Sequence, residues 1–184
     1  MTPGALLDLL ARSDALKHVE RAALTGARRE TSGEHCWQVA LVAVLLHPQA
    51  PDPKPDLGRV LAMIAAHDLV EIEAGDTFAF DEAGLATQAA REAAAARKLP
   101  DALAALWAEF EAGGTPEARF AMGCDRLQGF AQQVECGAPA WREAGLTRAR
   151  SLRRMQPALD LGPPFAPMIE ALYGRAMAEG LLQP

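Results

Sequence analysis

Cap residues followed by apolar residues three and four positions apart, then by proline or glycine, divide this chain into successive helical segments. Thr2-Pro3 opens the first, where Leu6, Leu7, Leu9, Leu10 and Leu16 mark an apolar stripe interrupted at Ser13-Asp14. Ser32 is the N-cap candidate of a second helix running to about His47, with Trp37, Leu41, Val44 and Leu45 at helical spacing before Pro48 stops it. The proline-rich stretch 48–55 is a loop, after which Asp56 caps a helix over 57–73 that ends at Gly75-Asp76. Further helices are predicted over 81–98, over 101–111 and, opened by Thr115-Pro116, to about Val134. Segments 141–155 and 164–180 complete the chain, separated by the breaker-rich stretch 157–163. Alanine is the commonest residue and leucine the next, while valine and isoleucine are sparse, so the expected fold class is all-α, a helical bundle with no strand.

The 184 residues suffice for one sizeable core and are too few for two ordinary domains, so a single domain over 1–184 is expected. Eighteen Lys and Arg stand against 24 Asp and Glu, a net charge of −6, which disfavours nucleic acid and anionic lipid as partners. The longest apolar stretch, 39–46, is far below the roughly 18 residues that cross a bilayer, and Met1-Thr2-Pro3-Gly4 lacks the basic-then-apolar layout of a signal peptide. Cys36, Cys124 and Cys136 form no Cys-x-x-Cys pair and suggest neither a disulfide framework nor a zinc ribbon. A cytoplasmic home is expected from these features.

Two of the four histidines stand where solvation does not require them. His35 lies near the start of an otherwise apolar helix, and His67 is followed directly by Asp68, with Glu71 four residues on. One short stretch therefore projects an imidazole and two carboxylates toward a common region, an arrangement that a solvated helix end also produces. Asp125 sits among Phe120, Met122, Cys124 and Leu127, a packed setting in which an unpaired carboxylate is costly and a metal would offset the cost. Trp37, Trp107 and Trp141 are too scattered for a base-stacking platform and read as core or interface anchors. His18 and His47, at element ends, are expected to face solvent, and Arg148, Arg150, Arg153 and Arg154 to occupy the solvated side of a helix.

Taken in order, Glu34-His35, His67-Asp68-Leu69-Val70-Glu71, Gly75-Asp76-Thr77 and, after Thr115-Pro116-Glu117-Ala118-Arg119-Phe120, Asp125-Arg126-Leu127 resemble the HD-domain metal-dependent phosphohydrolases. Within that superfamily the chain is most similar to the branch of bacterial 5'-deoxynucleotidases and their eukaryotic HD-domain-containing relatives. The resemblance spans about 16–133, with the helices over 141–180 packing on that region. It implies metal ligation by His35, His67, Asp68 and Asp125, a nitrogen and oxygen set that suits Mn²⁺, Co²⁺, Fe²⁺, Ni²⁺ or Mg²⁺ and disfavours a closed structural zinc site. No histidine follows His67, which favours one divalent ion per active site over the dinuclear HD centres. Ile72, where alarmone hydrolases carry a second acid after the Glu71 position, disfavours that branch.

By the same resemblance Glu71 and Asp76 are the acids of proton transfer and substrate holding, with Glu71 ranked first, and Thr77 adds a hydroxyl to the substrate site. Arg21 aligns with the family's phosphate-orienting arginine, a role its guanidinium fork suits. The span from Arg21 to His35 is one residue short of the family pattern and Ala22-Ala23 replaces the usual aromatic or proline, so Arg28 and Arg29 are alternatives and deoxyribose selectivity stays open. The implied function is a 5'-nucleotidase acting on (deoxy)nucleoside 5'-monophosphates, with a homodimer as the assembly. The alternatives are an HD phosphohydrolase of another small phosphate ester or phosphodiester, and a nucleotide-binding protein without turnover.

Overall fold

A computed structural model describes residues 1–183. In chain order the elements are α1 (Pro3–Ser13), β1 (Glu20–Thr25), β2 (Arg28–Thr31), α2 (Ser32–Leu46), α3 (Leu57–His67), α4 (Glu71–Ala74), α5 (Glu82–Ala96), α6 (Asp101–Ala112), α7 (Pro116–Glu135), α8 (Pro139–Glu143), α9 (Arg148–Leu159) and α10 (Phe165–Ala178). The architecture is the expected helical bundle. Among the described residues, no helix is long and apolar enough to cross a membrane.

Helix α7 is the axis of the molecule, packing against α2, α3, α6, α9 and α10. Its start is fixed by Thr115, whose Oγ1 accepts a 3.1 Å hydrogen bond from the Ala118 amide, with Pro116 at the first helical position. Its inner face buries Phe120, Leu127, Phe130 and Val134 in the main apolar cluster with Val39, Met63, Ile64, Phe165 and Ile169. Gly123 permits the crossing of α10, since a Cβ there would lie 2.8 Å from the Phe165 ring. Burial of these side chains supplies the main drive for the fold, at about 1.5–3 kcal/mol for each large one.

Four expectations are corrected. First, β1 and β2 form an antiparallel hairpin paired Glu20 with Thr31 and Thr25 with Arg28, around a turn in which Gly26 takes φ +59°. The strand was illegible because Arg21-Ala22-Ala23-Leu24 has low β-propensity; packing of β1 on α7 and α8 overrides it. Second, Thr31 rather than Ser32 caps α2, in a reciprocal capping box with Glu34. Third, the helix expected over 57–73 breaks at His67, where Asp68–Val70 form a 3-10 turn before α4; Gly75, at φ +74°, ends it as expected. Fourth, the segment expected over 141–155 divides into α8 and α9, and α9 continues through Pro157 to Leu159.

The apolar stripes of the first two helices also run opposite to expectation. Helix α1 buries nothing, leaving Leu6, Leu7 and Leu10 exposed, and α2 turns Trp37, Leu41, Val44 and Leu45 outward while Ser32, His35, Val39, Ala43 and Leu46 face in. Trp37, 68% exposed, is therefore no core anchor, whereas Trp141 is buried. His18 is exposed, but His47 is half-buried with its Nε2 2.8 Å from the Pro55 carbonyl.

Candidate metal and phosphate site

His35 enters the bundle on the first turn of α2, a position set by the Thr31–Glu34 capping box immediately before it. His67 is the last residue of α3, and the tight turn that follows swings Asp68 back beside it. Asp125 comes from the middle of α7. Ligand atoms of His35, His67 and Asp68 all lie within 4.8 Å of one another. Asp125 Oδ1 stands 2.9 Å from His35 Nε2, and Asp68 Oδ2 stands 3.8 Å from the same nitrogen.

Both imidazoles are held by their Nδ1 atoms. His67 Nδ1 is 2.8 Å from the Ile64 carbonyl, which only accepts, so Nδ1 carries the hydrogen and Nε2 presents a lone pair. That Nε2 is buried without a hydrogen-bond partner, 3.1 Å from Asp68 Oδ1. His35 Nδ1 lies 2.5 Å from Oε1 of Gln128, whose nitrogen donates to Glu30 and Gln38. Burial, and then the Arg21 charge, lowers the His35 pKa to about 4, so near neutrality the ring carries its one hydrogen on Nδ1. The Nε2 lone pair then faces a carboxylate oxygen of Asp125, two acceptors with no hydrogen between them. This donor set fits a divalent cation, because two aimed imidazole nitrogens, one of them without any partner, face two carboxylates in a buried space where only Cys36 and Arg21 attend Asp68.

The charges show the same demand. Burial raises Asp68 to about 7 against the opposing pull of Arg21, with Asp125 adding to the rise. Burial acts to raise Asp125 as well, but in acid, where His35 is protonated, the hydrogen bond and charge of that ring, with His67 and Arg21, outweigh it and hold the carboxyl well below the usual carboxylate range. Glu71, buried beside them, rises to about 9 through burial and the Asp68 charge. Its Oε2 accepts a 2.6 Å hydrogen bond from Ser32 Oγ.

Arg21, on β1, reaches into the same cleft, with a side chain 19% exposed. Its Nη1 is 3.6 Å from Asp68 Oδ2 and 3.4 Å from Asp76 Oδ1, and its Nε is 3.6 Å from Glu30 Oε2. These are ion pairs longer than hydrogen bonds, so the guanidinium is held by charge with its donors uncommitted. Burial opposes that charge, but Asp68, Asp76, Glu71 and Asp125 together raise its pKa. Asp76, itself raised by burial, follows the turn glycine Gly75, and Thr77 next to it accepts a 2.7 Å hydrogen bond from Arg91 Nη2. The structure thus brings together His35, His67, Asp68, Asp125, Glu71, Asp76, Thr77 and Arg21. It leaves Arg28 and Arg29 outside: Arg28 pairs with Glu34, and Arg29 donates to the Arg21 carbonyl and lies 3.9 Å from Glu20.

A cleft of about 190 Å³ opens over these groups. Its walls add residues that the sequence had not singled out, Glu30, Phe78, Phe80, Gln88 and Glu92, and include Arg126 of the Asp125-Arg126-Leu127 motif. Gln128, behind it, lies three residues beyond Asp125 and so on the same helix face, a spacing that signals it once Asp125 is chosen. Arg148, Arg153 and Arg154 are exposed as expected, with Arg154 also bordering the cleft and Arg148 lying over the Tyr173 ring, while Arg150 is half-buried and pairs with Glu82.

The HD-domain family matches residues 13–162, and the chain belongs to it. Among solved structures, it is similar to one described as a predicted metal-dependent phosphohydrolase from Magnetospirillum magnetotacticum MS-1. The two are 36% identical with a TM-score of 0.88, over 98% of this chain and 95% of that one. A protein from Pyrococcus horikoshii OT3 shares the fold at 16% identity and a TM-score of 0.67, over 93% of this chain and 98% of that one. A conserved hypothetical protein from Pyrococcus furiosus does so at 21% identity and a TM-score of 0.64, over 84% and 98%. No curated protein matches the chain.

Proposed function

We propose that this protein is a metal-dependent phosphohydrolase that releases phosphate from (deoxy)nucleoside 5'-monophosphates, using one divalent ion per active site. The observation that carries the reading is the pair of buried imidazoles, each anchored through Nδ1, whose Nε2 atoms meet Asp68 and Asp125 beside an uncommitted guanidinium. His35, His67, Asp68 and Asp125 would hold the ion, of which Mn²⁺, Co²⁺, Fe²⁺, Ni²⁺ and Mg²⁺ suit the donors. When bound, such an ion supplies positive charge to the phosphate and lowers the pKa of water.

The chain's own residues do the rest. Arg21 neutralises and orients the phosphate with a two-pronged fork, as the negative charge of the reacting group demands. Glu71 is held protonated by burial and by the Asp68 charge, and a cation that offsets that charge would let it ionise; it then takes a proton from the attacking water and returns one to the leaving 5'-oxygen, while Ser32 fixes the carboxyl through Oε2. Asp76 holds Arg21 and, with Thr77, lines the cleft, where the reading gives the two a part in holding the substrate. The outward apolar faces of α1 and α2 support assembly with a second copy of the chain. Three free thiols accord with a cytoplasmic setting.

The test is phosphate release from a panel of ribo- and deoxyribonucleoside 5'-monophosphates by metal-stripped protein, with each metal added back separately. Metal-dependent release establishes the reading and its sugar preference. Silence with metal bound points to another phosphate ester or phosphodiester, or to binding without turnover.

A further inference from the structure

We propose that Glu30 and Gln128 form a buried bridge that positions both the metal-ligand histidine His35 and the phosphate-binding arginine Arg21. The inference rests on the roles given above to those two residues and extends them to two buried groups to which that reading gives no part in holding metal or phosphate.

Glu30, on β2, is 3% exposed, and Gln128, on α7, is 2% exposed. The Gln128 nitrogen donates one hydrogen to Glu30 Oε1 at 2.9 Å and the other to Gln38 Oε1 at 2.8 Å. With both amide hydrogens spent on acceptors, the only atom Gln128 can turn toward His35 Nδ1 is its oxygen. The amide therefore dictates which imidazole nitrogen carries the hydrogen, and it leaves Nε2 free on the side of Asp68 and Asp125.

The other end of the bridge is a carboxylate oxygen, Glu30 Oε2, which has no hydrogen-bond partner and lies 3.6 Å from Arg21 Nε. A buried carboxylate oxygen left this way is costly unless a charge faces it, and the guanidinium is that charge. Glu30 approaches from the Nε edge, whereas Asp68 and Asp76 approach Nη1. With Glu30 on one edge and Asp68 and Asp76 on another, the guanidinium is drawn from both sides. Without Glu30, Asp68 and Asp76 are left to draw the fork onto the metal ligands and away from the phosphate.

A purely structural role for these residues would lower stability and affect every ligand alike, so the test separates ligands. Calorimetry on the Mn²⁺-loaded protein reads inorganic phosphate affinity, calorimetry on the metal-free protein reads Mn²⁺ affinity, and ¹⁵N NMR of the metal-free protein reads the His35 tautomer. Glu30→Gln keeps the acceptor for Gln128 and removes the charge. It is expected to weaken phosphate roughly tenfold with Mn²⁺ affinity unchanged, and Glu30→Asp to recover part of the loss. Gln128→Met is expected to mix the His35 tautomers and to weaken Mn²⁺ roughly ten- to a hundredfold; Gln128→Asn serves where the methionine variant does not fold. The proposal is overturned if Glu30→Gln binds phosphate normally while Arg21→Ala does not, or if the Gln128 variants keep the tautomer and the Mn²⁺ affinity. Normal phosphate binding by Arg21→Ala would instead remove the assignment of Arg21, and the bridge with it.

Discussion

His35 Nε2 and Asp125 Oδ1 stand 2.9 Å apart across ninety residues of sequence, with the hydrogen of the imidazole committed to Gln128 on its far side. Two acceptors at that distance in a buried setting are a repulsive pair until a cation or a proton joins them. The consequences are measurable in the metal-free protein.

Metal uptake should displace a proton. Asp68 holds one up to about pH 7 in the metal-free state, whereas His35, lowered to about 4, holds none to give up near neutrality. Mn²⁺ affinity is therefore expected to rise roughly tenfold per pH unit below about 7 and to level off above it on the Asp68 account. Calorimetry in two buffers of different ionisation enthalpy checks this, and an affinity flat from pH 5 to 7 would contradict it.

Stability without metal should fall as pH rises. Asp68 and Glu71 have folded pKa values near 7 and 9 against ordinary values of 3.8 and 4.5, so the native state binds their protons more tightly than the unfolded chain does. The unfolded state thus holds fewer protons between those limits, and the stability those protons confer is lost as pH rises through each window. Asp125, depressed in the native state, acts oppositely and only below its ordinary 3.8. Asp68→Asn is expected to raise metal-free stability at pH 8 by on the order of 2 kcal/mol, to leave it unchanged at pH 4, and to abolish Mn²⁺ binding. Thermal melts at the two pH values decide it; a variant less stable than the parent at pH 8 counts against the electrostatic reading.

Much of this centre was legible in the sequence, and the reasons for the rest are local. His67-Asp68 and Glu71 signal themselves because they are neighbours on one short stretch, and Asp125 because its surroundings are apolar. Glu30 does not, since its burial depends on a hairpin whose alanine-rich first strand has no β-pattern, and Gln128 becomes visible only from its spacing to Asp125. The inversion of α2 has a similar cause. That helix is apolar on both faces, so periodicity alone cannot say whether Val39 and Ala43 or Trp37, Leu41 and Leu45 face the core. In the structure His35 faces inward toward Asp125 and Asp68, and Val39, one turn on, lies inward with it.

Glu71 should be separable from the ligands. Glu71→Gln keeps the acceptor for Ser32 and nearly the same volume, so metal and phosphate affinities are expected to hold while kcat falls about 10²- to 10⁴-fold. His67→Ala, by contrast, should lose metal and turnover together. Steady-state kinetics beside Mn²⁺ titrations tell the two apart, and full turnover by Glu71→Gln would end its assignment as the proton carrier.

The apolar faces predict an assembly. Leu45 and Trp37, 63% and 68% exposed, are expected to lie between two copies of the chain. Leu45→Glu should turn a dimer into a monomer by sedimentation velocity with an unchanged far-UV spectrum. A parent protein that sediments as a monomer would refute the assembly.

The most direct test of a mononuclear, metal-dependent centre is a titration of metal-stripped protein with Mn²⁺ that follows bound metal and phosphate release from a deoxynucleoside 5'-monophosphate together. His35, His67, Asp68 and Asp125 as a single ligand set predict that release climbs linearly and saturates at one equivalent per chain. Release by the stripped protein, or activity that appears only with a second equivalent, would contradict it.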